Sequence, residues 1–437
     1  MHKALHYFTL LSLLIVFILQ GCSHDPDETP VIIVPEEEVP NVYYFERDGH
    51  NNVFNSGQVC RNLIIQDFEI LVKRLAEPGA VPIAFEDLYK YYDNGGVTIS
   101  GPTLTAVNMP LLVSTIYEIS SVRDLKGRVY GPYANKIHAD MEYWCATIAE
   151  NSHDPSKIGT YRVYIDEETG HDMVQMFKLT AMGGVMWQHG LHAYFHYVEN
   201  DNNDTIVTFP GVTWLHYTWM EHHLDEVFGY YGAARKFHDF TDEDLVDYAE
   251  GGNYLDNFQV DGKLDFSTEY NFLFARLAAE RDLGSQTHTD FSKTIFDGFY
   301  DARVAIVEKD YDKLIERKAV ILDNWEKVVA SSAVHHLNEV VRELDFLKDY
   351  PGASPERFYM HWSAMFKYTE MLRYNYDNRF TGYKEVLDEK FITSAVPFPK
   401  AIVDDVSKIN DYKTGLLDAR AIIQGIYDFD PADVENW

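Results

Sequence analysis

The chain is predicted to be mainly α, a multi-helix bundle with at most a short β-hairpin, and three observations carry that expectation. Of its 437 residues 46% are hydrophobic and 24% charged, a globular balance with enough apolar material to fill a core. From about Asn41 onward apolar residues recur three or four apart, the period of a helix face. Strand-like alternation is confined to Tyr161–Ile165, before the turn residues Asp166 to Gly170, and to a weaker stretch at Thr98–Ser100 beside Gly95 and Gly96.

The first element is a leader. Residues 1–21 begin with Lys3, run through an apolar stretch from Leu10 to Leu19 and end in Leu19-Gln20-Gly21-Cys22, the order of an export signal. The ending resembles a lipobox, which implies a lipidated Cys22 as residue one of the mature chain. The apolar run is shorter than the roughly 20 residues a spanning helix needs. Residues 22–41 are acidic and punctuated by Pro26, Pro30, Pro35 and Pro40, a tether that cannot build a core. The expected partner is therefore a membrane, reached through lipidated Cys22, and the expected address is the outer membrane. The early acidic residues resemble a surface-export signal of Bacteroidota lipoproteins, and they equally suit a solvated linker, so the periplasmic face and the cell surface both stay open.

Residues 42–437 are expected to form a single helical domain. Helices are predicted at Val59–Ala76, Asp172–Tyr197, Trp214–Tyr231, Tyr270–Leu283, Phe291–Glu308, Pro355–Tyr376 and Tyr412–Tyr427. The clearest amphipathic run is Glu316–Lys348, where Leu322, Trp325, Val329, His336, Val340 and Leu347 form one seam. Ser354-Pro355-Glu356 and Thr241 with Asp244 are helix-start signals. The loops at 199–204 and 250–262 are rich in Asn, Asp and Gly and are too short to demand a second domain.

Sixty-nine acidic residues against 37 basic ones leave a formal charge of −32. Such a surface repels phosphate backbones, so nucleic acid is excluded as a general partner. Three cysteines cannot make a disulfide framework, and Cys60 and Cys145 are the only mature thiols once Cys22 is assigned to the anchor. Gly183-Gly184 is followed by no Lys-Ser or Lys-Thr, and no nucleophile elbow is present, which removes the usual nucleotide and serine-hydrolase signatures.

Two histidine clusters could carry chemistry. His189, His192 and His196 stand at i, i+3 and i+7 and are expected on one side of a helix, where imidazoles can bind zinc, copper or iron or simply hydrogen-bond to neighbouring tyrosines. In His222-His223-Leu224-Asp225-Glu226, either histidine can share a helix face with Glu226, and Asp225 and His222 supply alternative donors to His223 and Glu226. The same spacing serves a metal ligand pair and a structural pair, and no HExxH signature accompanies it. His335, His336 and His361 are further candidates from other helices, with a packing role favoured.

The run Tyr43-Tyr44-Phe45, the segment Ser56-Gly57-Gln58 with Arg61, the motif His223 to Gly232 and the stretch Asp301 to Ile306 before Lys309-Asp310-Tyr311 resemble a lipoprotein family of the Bacteroidota, the domain of unknown function numbered 4856. Trp325-Glu326-Lys327 and His335 to Asn338 resemble its later helices, whereas Leu224 stands where the family more often has Trp. That family is similar in turn to imelysin-like envelope proteins, which are helical and carry a G-x-H-x-x-E motif linked to iron. Here His223 and Glu226 match the histidine and glutamate, and Glu221 replaces the glycine. The resemblance implies an envelope lipoprotein that binds a metal ion, with iron or zinc as the cofactor candidates, or a small iron-containing ligand. A metal-dependent hydrolase with one of the carboxylates as general base and a structural, partner-binding lipoprotein are the alternatives.

Overall fold

The computed structural model describes residues 42–93, 105–107, 114–115, 123–129, 131–208, 216–250, 263–265, 271–374 and 379–437. The leader, Cys22, the tether and the expected strand at 98–100 lie outside the described residues, as does the loop from 251 to 262.

The chain is mainly α. A hairpin of β1 (Glu46–Arg47) and β2 (His50–Asn51) precedes α1 (Ser56–Arg74) and α2 (Phe85–Asp93). Strands β3 (Thr105–Val107) and β4 (Ser114–Thr115) pair antiparallel, and β3 pairs in parallel with the later β5 (Lys263–Asp265). After α3 (Ala134–Ser152), α4 (Met173–Ala181) runs through two π-helical stretches, Met182–Trp187 and His189–Tyr194, into α5 (Phe195–Asn200). There follow α6 (Trp219–Tyr231), α7 (Asp242–Glu250), α8 (Leu273–Gly284), α9 (Phe291–Glu308) and the 39-residue α10 (Tyr311–Asp349). The C-terminal part holds α11 (Glu356–Met371), α12 (Tyr383–Phe391), α13 (Lys400–Val403), α14 (Ile409–Tyr427) and α15 (Pro431–Asn436).

Local chemistry sets these boundaries. Asp172 starts α4 by accepting hydrogen bonds from the Val174 and Gln175 backbone N–H groups at 2.9 and 3.0 Å, which satisfies two donors that the first turn otherwise leaves unpaired. Thr241 and Asp244 cap α7 reciprocally, as their spacing predicts. The expected strand at Tyr161–Ile165 is instead a 3₁₀ turn, Tyr161–Tyr164, whose Thr160 hydroxyl accepts from the Arg162 N–H. Only an isolated bridge between Ile165 and Asp172 remains of the extended pairing. Side-chain capping at Thr160 outcompetes the ladder that alternation alone suggests.

One contiguous apolar cluster runs from Tyr43 to Trp437. Trp325 of α10 is a hub: its ring meets Trp187, Phe274, Phe299 and Tyr231 edge-on, with centroids 5.1–6.2 Å apart. Edge-to-face contacts of this kind add specificity to burial, and they bring the π-helical stretch, α6, α8 and α9 against one helix. That convergence fixes the orientation of α6, which carries the second histidine cluster.

Candidate functional site

Helix α6 separates two chemistries onto two faces. Thr218 and Glu221 form a capping box at its start: Glu221 N–H donates to Thr218 Oγ1 at 3.3 Å, and Thr218 N–H donates to Glu221 Oε2 at 2.7 Å. The Glu221 carboxylate also receives Arg47 as a fork, at 2.8 and 2.9 Å, and Arg303 Nη1 at 2.8 Å. One turn on, Asp225 Oδ1 accepts from Tyr43 Oη at 2.9 Å and from Arg303 Nε at 3.1 Å. Glu221, Asp225 and Arg303 are wholly buried. Arg303 is completed by Asn52 Oδ1 at 3.1 Å and by the Phe45 ring 4.7 Å from its guanidinium carbon, and Tyr43 stacks on Phe228 at 3.9 Å.

The inner face is therefore a buried ion-pair network. Burial pushes the Glu221 carboxyl up, but Arg303, the Thr218 N–H and Arg47 outweigh it and hold the group below its ordinary range. Asp225 has one guanidinium in place of two, and burial raises it to about 6 in spite of Arg303. Asp225 thus faces away from His222 and His223 and is committed to Arg303. Its sequence position beside Glu226 does not make it a shared donor, because adjacent helical residues point about 100° apart.

The outer face carries His222, His223 and Glu226, with side chains 12%, 15% and 14% exposed. His222 Nδ1 donates to the Phe54 carbonyl at 3.1 Å, and His223 Nδ1 is hydrogen-bonded to the Asp201 carboxylate. With both Nδ1 atoms so engaged, each imidazole in its neutral form carries its lone pair on Nε2. Both Nε2 atoms face Glu226, His222 at 3.8 Å from Oε1 and His223 at 3.9 Å from Oε2. Gln58 Nε2 donates to Glu226 Oε1 at 2.5 Å and fixes the carboxylate between them. Burial pushes the His222 imidazole below its usual value against the opposing pull of Glu226, which keeps it neutral near pH 7.

Aromatic rings hold this face rigid. Tyr217 stacks on His222 at 4.5 Å, and Trp219 and Tyr194 stack on His223 at 5.5 and 5.7 Å. Gly229 lets α6 approach α1 closely, since a Cβ there would lie 2.9 Å from the Cβ atoms of Asn55 and Gln58. Asp201 arrives from the Asn- and Asp-rich loop after α5, which Asn203 pins by accepting from the Thr218 hydroxyl at 2.9 Å. Phe54, Gln58 and Asp201 are distant in sequence from α6, and only the compositional bias of the 199–204 loop hinted at a role for that segment.

Two imidazole nitrogens and one carboxylate are a donor set that zinc and iron accept. The 3.8–3.9 Å spans exceed a hydrogen bond and also exceed the roughly 3.3–3.6 Å between two ligands of a tetrahedral ion with bonds of about 2.0–2.2 Å. Among the described residues no three His, Cys, Asp or Glu side chains stand together as a ready-made metal centre, so any closure here requires a small adjustment of Glu226. The positive charges of Arg61 and Arg123 act on Glu226 or on His222, a repulsion that any bound cation meets and that the Glu226 carboxylate offsets.

The members of the first histidine trio have different surroundings. The expected i, i+3, i+7 seam presumes 3.6 residues per turn, and π-helical winding over 182–187 and 189–194 widens the turn. His189 meets the edge of Tyr194 at 4.8 Å and is pushed by burial, and then by Arg128 and Arg61, down to about 3. His192 Nε2 is bonded to the Tyr374 carbonyl at 2.7 Å, and His196 is exposed beside Tyr197. His335, His336 and His361 do gather, with His336 Nδ1 and His361 Nδ1 3.0 Å apart, on α10 and α11 and not with the α6 cluster.

No curated protein and no solved structure matches the chain. Residues 40–354, which contain every side chain of the α6 arrangement, match the family model of a domain of unknown function, DUF4856, and the chain belongs to that family.

Proposed function

We propose that this chain is a non-catalytic lipoprotein of the bacterial outer membrane, anchored through Cys22, whose helical domain takes up a transition-metal ion or small iron-containing ligand at His222, His223 and Glu226. One observation supports the metal assignment above the rest. Each imidazole spends its Nδ1–H on an oxygen, Phe54 O or Asp201 Oδ2, and so turns an Nε2 lone pair toward the same carboxylate. That is the outer-sphere pattern that orients metal-binding histidines. Zinc or iron bound there would be held by those two nitrogens and Glu226. The His223–Glu226 spacing on a helical domain is also what supports kinship with imelysin-like envelope proteins.

Hydrolysis is the weaker alternative because a base is lacking. In this reading Glu226 serves the metal, Asp201 orients His223, and Glu221 and Asp225 are bound to Arg303, which leaves no carboxylate of this cluster assigned as general base. The test is metal analysis of the mature chain in detergent, followed by titration of the metal-stripped protein with zinc and ferrous iron. Wild type is expected to bind about one equivalent, and His223→Ala and Glu226→Gln are expected to lose affinity while keeping their thermal transitions. Absence of binding in wild type, or full affinity in both folded variants, would show the face to be packing.

A further inference from the structure

Elsewhere on the molecule, a cleft of about 600 Å³ opens between α1, α4, α8, α10 and α11, within the roughly 300–1,000 Å³ typical of small-molecule sites. It uses the C-terminal half of α1, away from Gln58, and none of the α6 histidines. The charged groups of its walls answer one another. Glu69 sits between Lys73 and Lys178 at 2.6 and 2.7 Å, and Arg276 meets Glu280 at 2.9 Å. An ionic ligand of either sign therefore competes with a charge-assisted contact already made.

What the walls leave unanswered is neutral. Asn271, 2% exposed, donates to the Leu245 carbonyl at 3.3 Å, yet its Oδ1 accepts no hydrogen bond among the described residues, and neither does Gln66 Oε1. A buried acceptor left unmatched costs free energy unless a ligand or water donates to it. His336, on the α10 wall, adds a third acceptor. Its Nδ1 lies 3.0 Å from His361 Nδ1, and the Glu339 carboxylate lies 3.9 Å from His361 Nε2. That carboxylate favours a proton on His361 Nε2, so His361 Nδ1 accepts from His336 Nδ1–H and the lone pair of His336 is left on Nε2. Tyr368 stacks on the His336 ring at 5.4 Å. Burial, and then His335 and His361, push this imidazole well below its ordinary value, so it stays neutral. Phe272, Leu277 and Met182 supply apolar surface beside these acceptors.

We propose that this cleft binds a neutral sugar. The hydroxyls of such a ligand donate to His336 Nε2, Asn271 Oδ1 and Gln66 Oε1, and its C–H face packs on Phe272 and Leu277, while the ion pairs of the walls stay intact. A uronate or an amino sugar offers the same hydroxyls but brings a charge whose counterparts in the walls are already engaged. The proposal is independent of the metal reading.

Calorimetric titration of the full mature chain with D-glucose and D-galactose, and with the uronate and the 2-amino sugar of each, tests it. Saturable binding of at least one neutral hexose is expected, with its two charged derivatives weaker by about tenfold or more, the scale of one lost charge-assisted contact. His336→Phe keeps a ring against Tyr368 but removes the Nε2 acceptor, and it is expected to weaken hexose binding by about tenfold. Leu277→Trp fills the cleft without touching a polar group and is expected to abolish binding with the thermal transition retained, which decides the matter if His336→Phe fails to fold. Failure of both hexoses to bind wild type, equal or tighter binding of a charged derivative, or full hexose affinity in either folded variant would each overturn the proposal.

Discussion

Asp225 and Glu226 are neighbours with opposite surroundings. Asp225 points inward to Arg303 and Tyr43, and Glu226 points outward between two imidazoles. Arg303 neutralises both Glu221 and Asp225 in a dry interior, so Arg303→Met leaves two buried carboxylates against the single remaining fork from Arg47. It is expected to cost about 3–5 kcal/mol, the penalty for breaking a buried pair from one side, read by denaturant unfolding. Asp225→Asn removes a charge that burial already disfavours and is expected to cost less. The pH dependence follows from the same group. Its folded pKa of about 6 lies above the ordinary carboxylate value of about 3.9, so protonation favours the folded state. The stability it contributes is complete below about pH 4 and is lost as pH rises through about 6. The thermal midpoint of wild type should therefore fall relative to Asp225→Asn across that window, and a constant separation from pH 4 to 7 would contradict the assignment.

At the scale of elements, the crossing of α1 and α6 is what brings Gln58 to Glu226, and it depends on Gly229. Gly229→Leu should force the helices apart, cost about 1–3 kcal/mol as overpacking does, and weaken metal affinity through the displaced Gln58. Unchanged stability and affinity would show that the crossing is not the constraint. The helices with the strongest apolar period were legible in the sequence: α9 was predicted with its observed ends, and α10 runs from Tyr311 to Asp349 around the predicted seam. Helix α3 was not foreseen although Ile137, Met141, Trp144, Cys145 and Ile148 form its buried stripe. Its start, at Tyr133, carries no side-chain cap to announce it. The π-helical stretches were illegible because no local residue signal distinguishes a wider turn from an α-helix, and the spacing of His189, His192 and His196 was read on an α-helical period. For the site, the spacing of His223 and Glu226 was visible, whereas Phe54, Gln58 and Asp201 reach them only through the tertiary fold.

At the scale of the whole molecule, an acidic helical domain is joined to its proposed anchor by the tether of residues 22–41. Among the described residues no helix is long and apolar enough to cross a membrane, and the proposed anchor is Cys22. Cys22→Ser is expected to abolish lipid labelling and release the protein from the membrane fraction, and continued labelling would remove the anchor. Cys60 and Cys145 are both buried free thiols. The central claim is that the outer face of α6 presents two imidazole Nε2 atoms to one metal ion. X-ray absorption fine structure of the mature chain loaded with one equivalent of zinc tests it most directly. Two imidazole ligands at about 2.0–2.1 Å, reduced to one in His223→Ala, are the predicted result, and a zinc shell without imidazole, or one unaltered by that substitution, would contradict it.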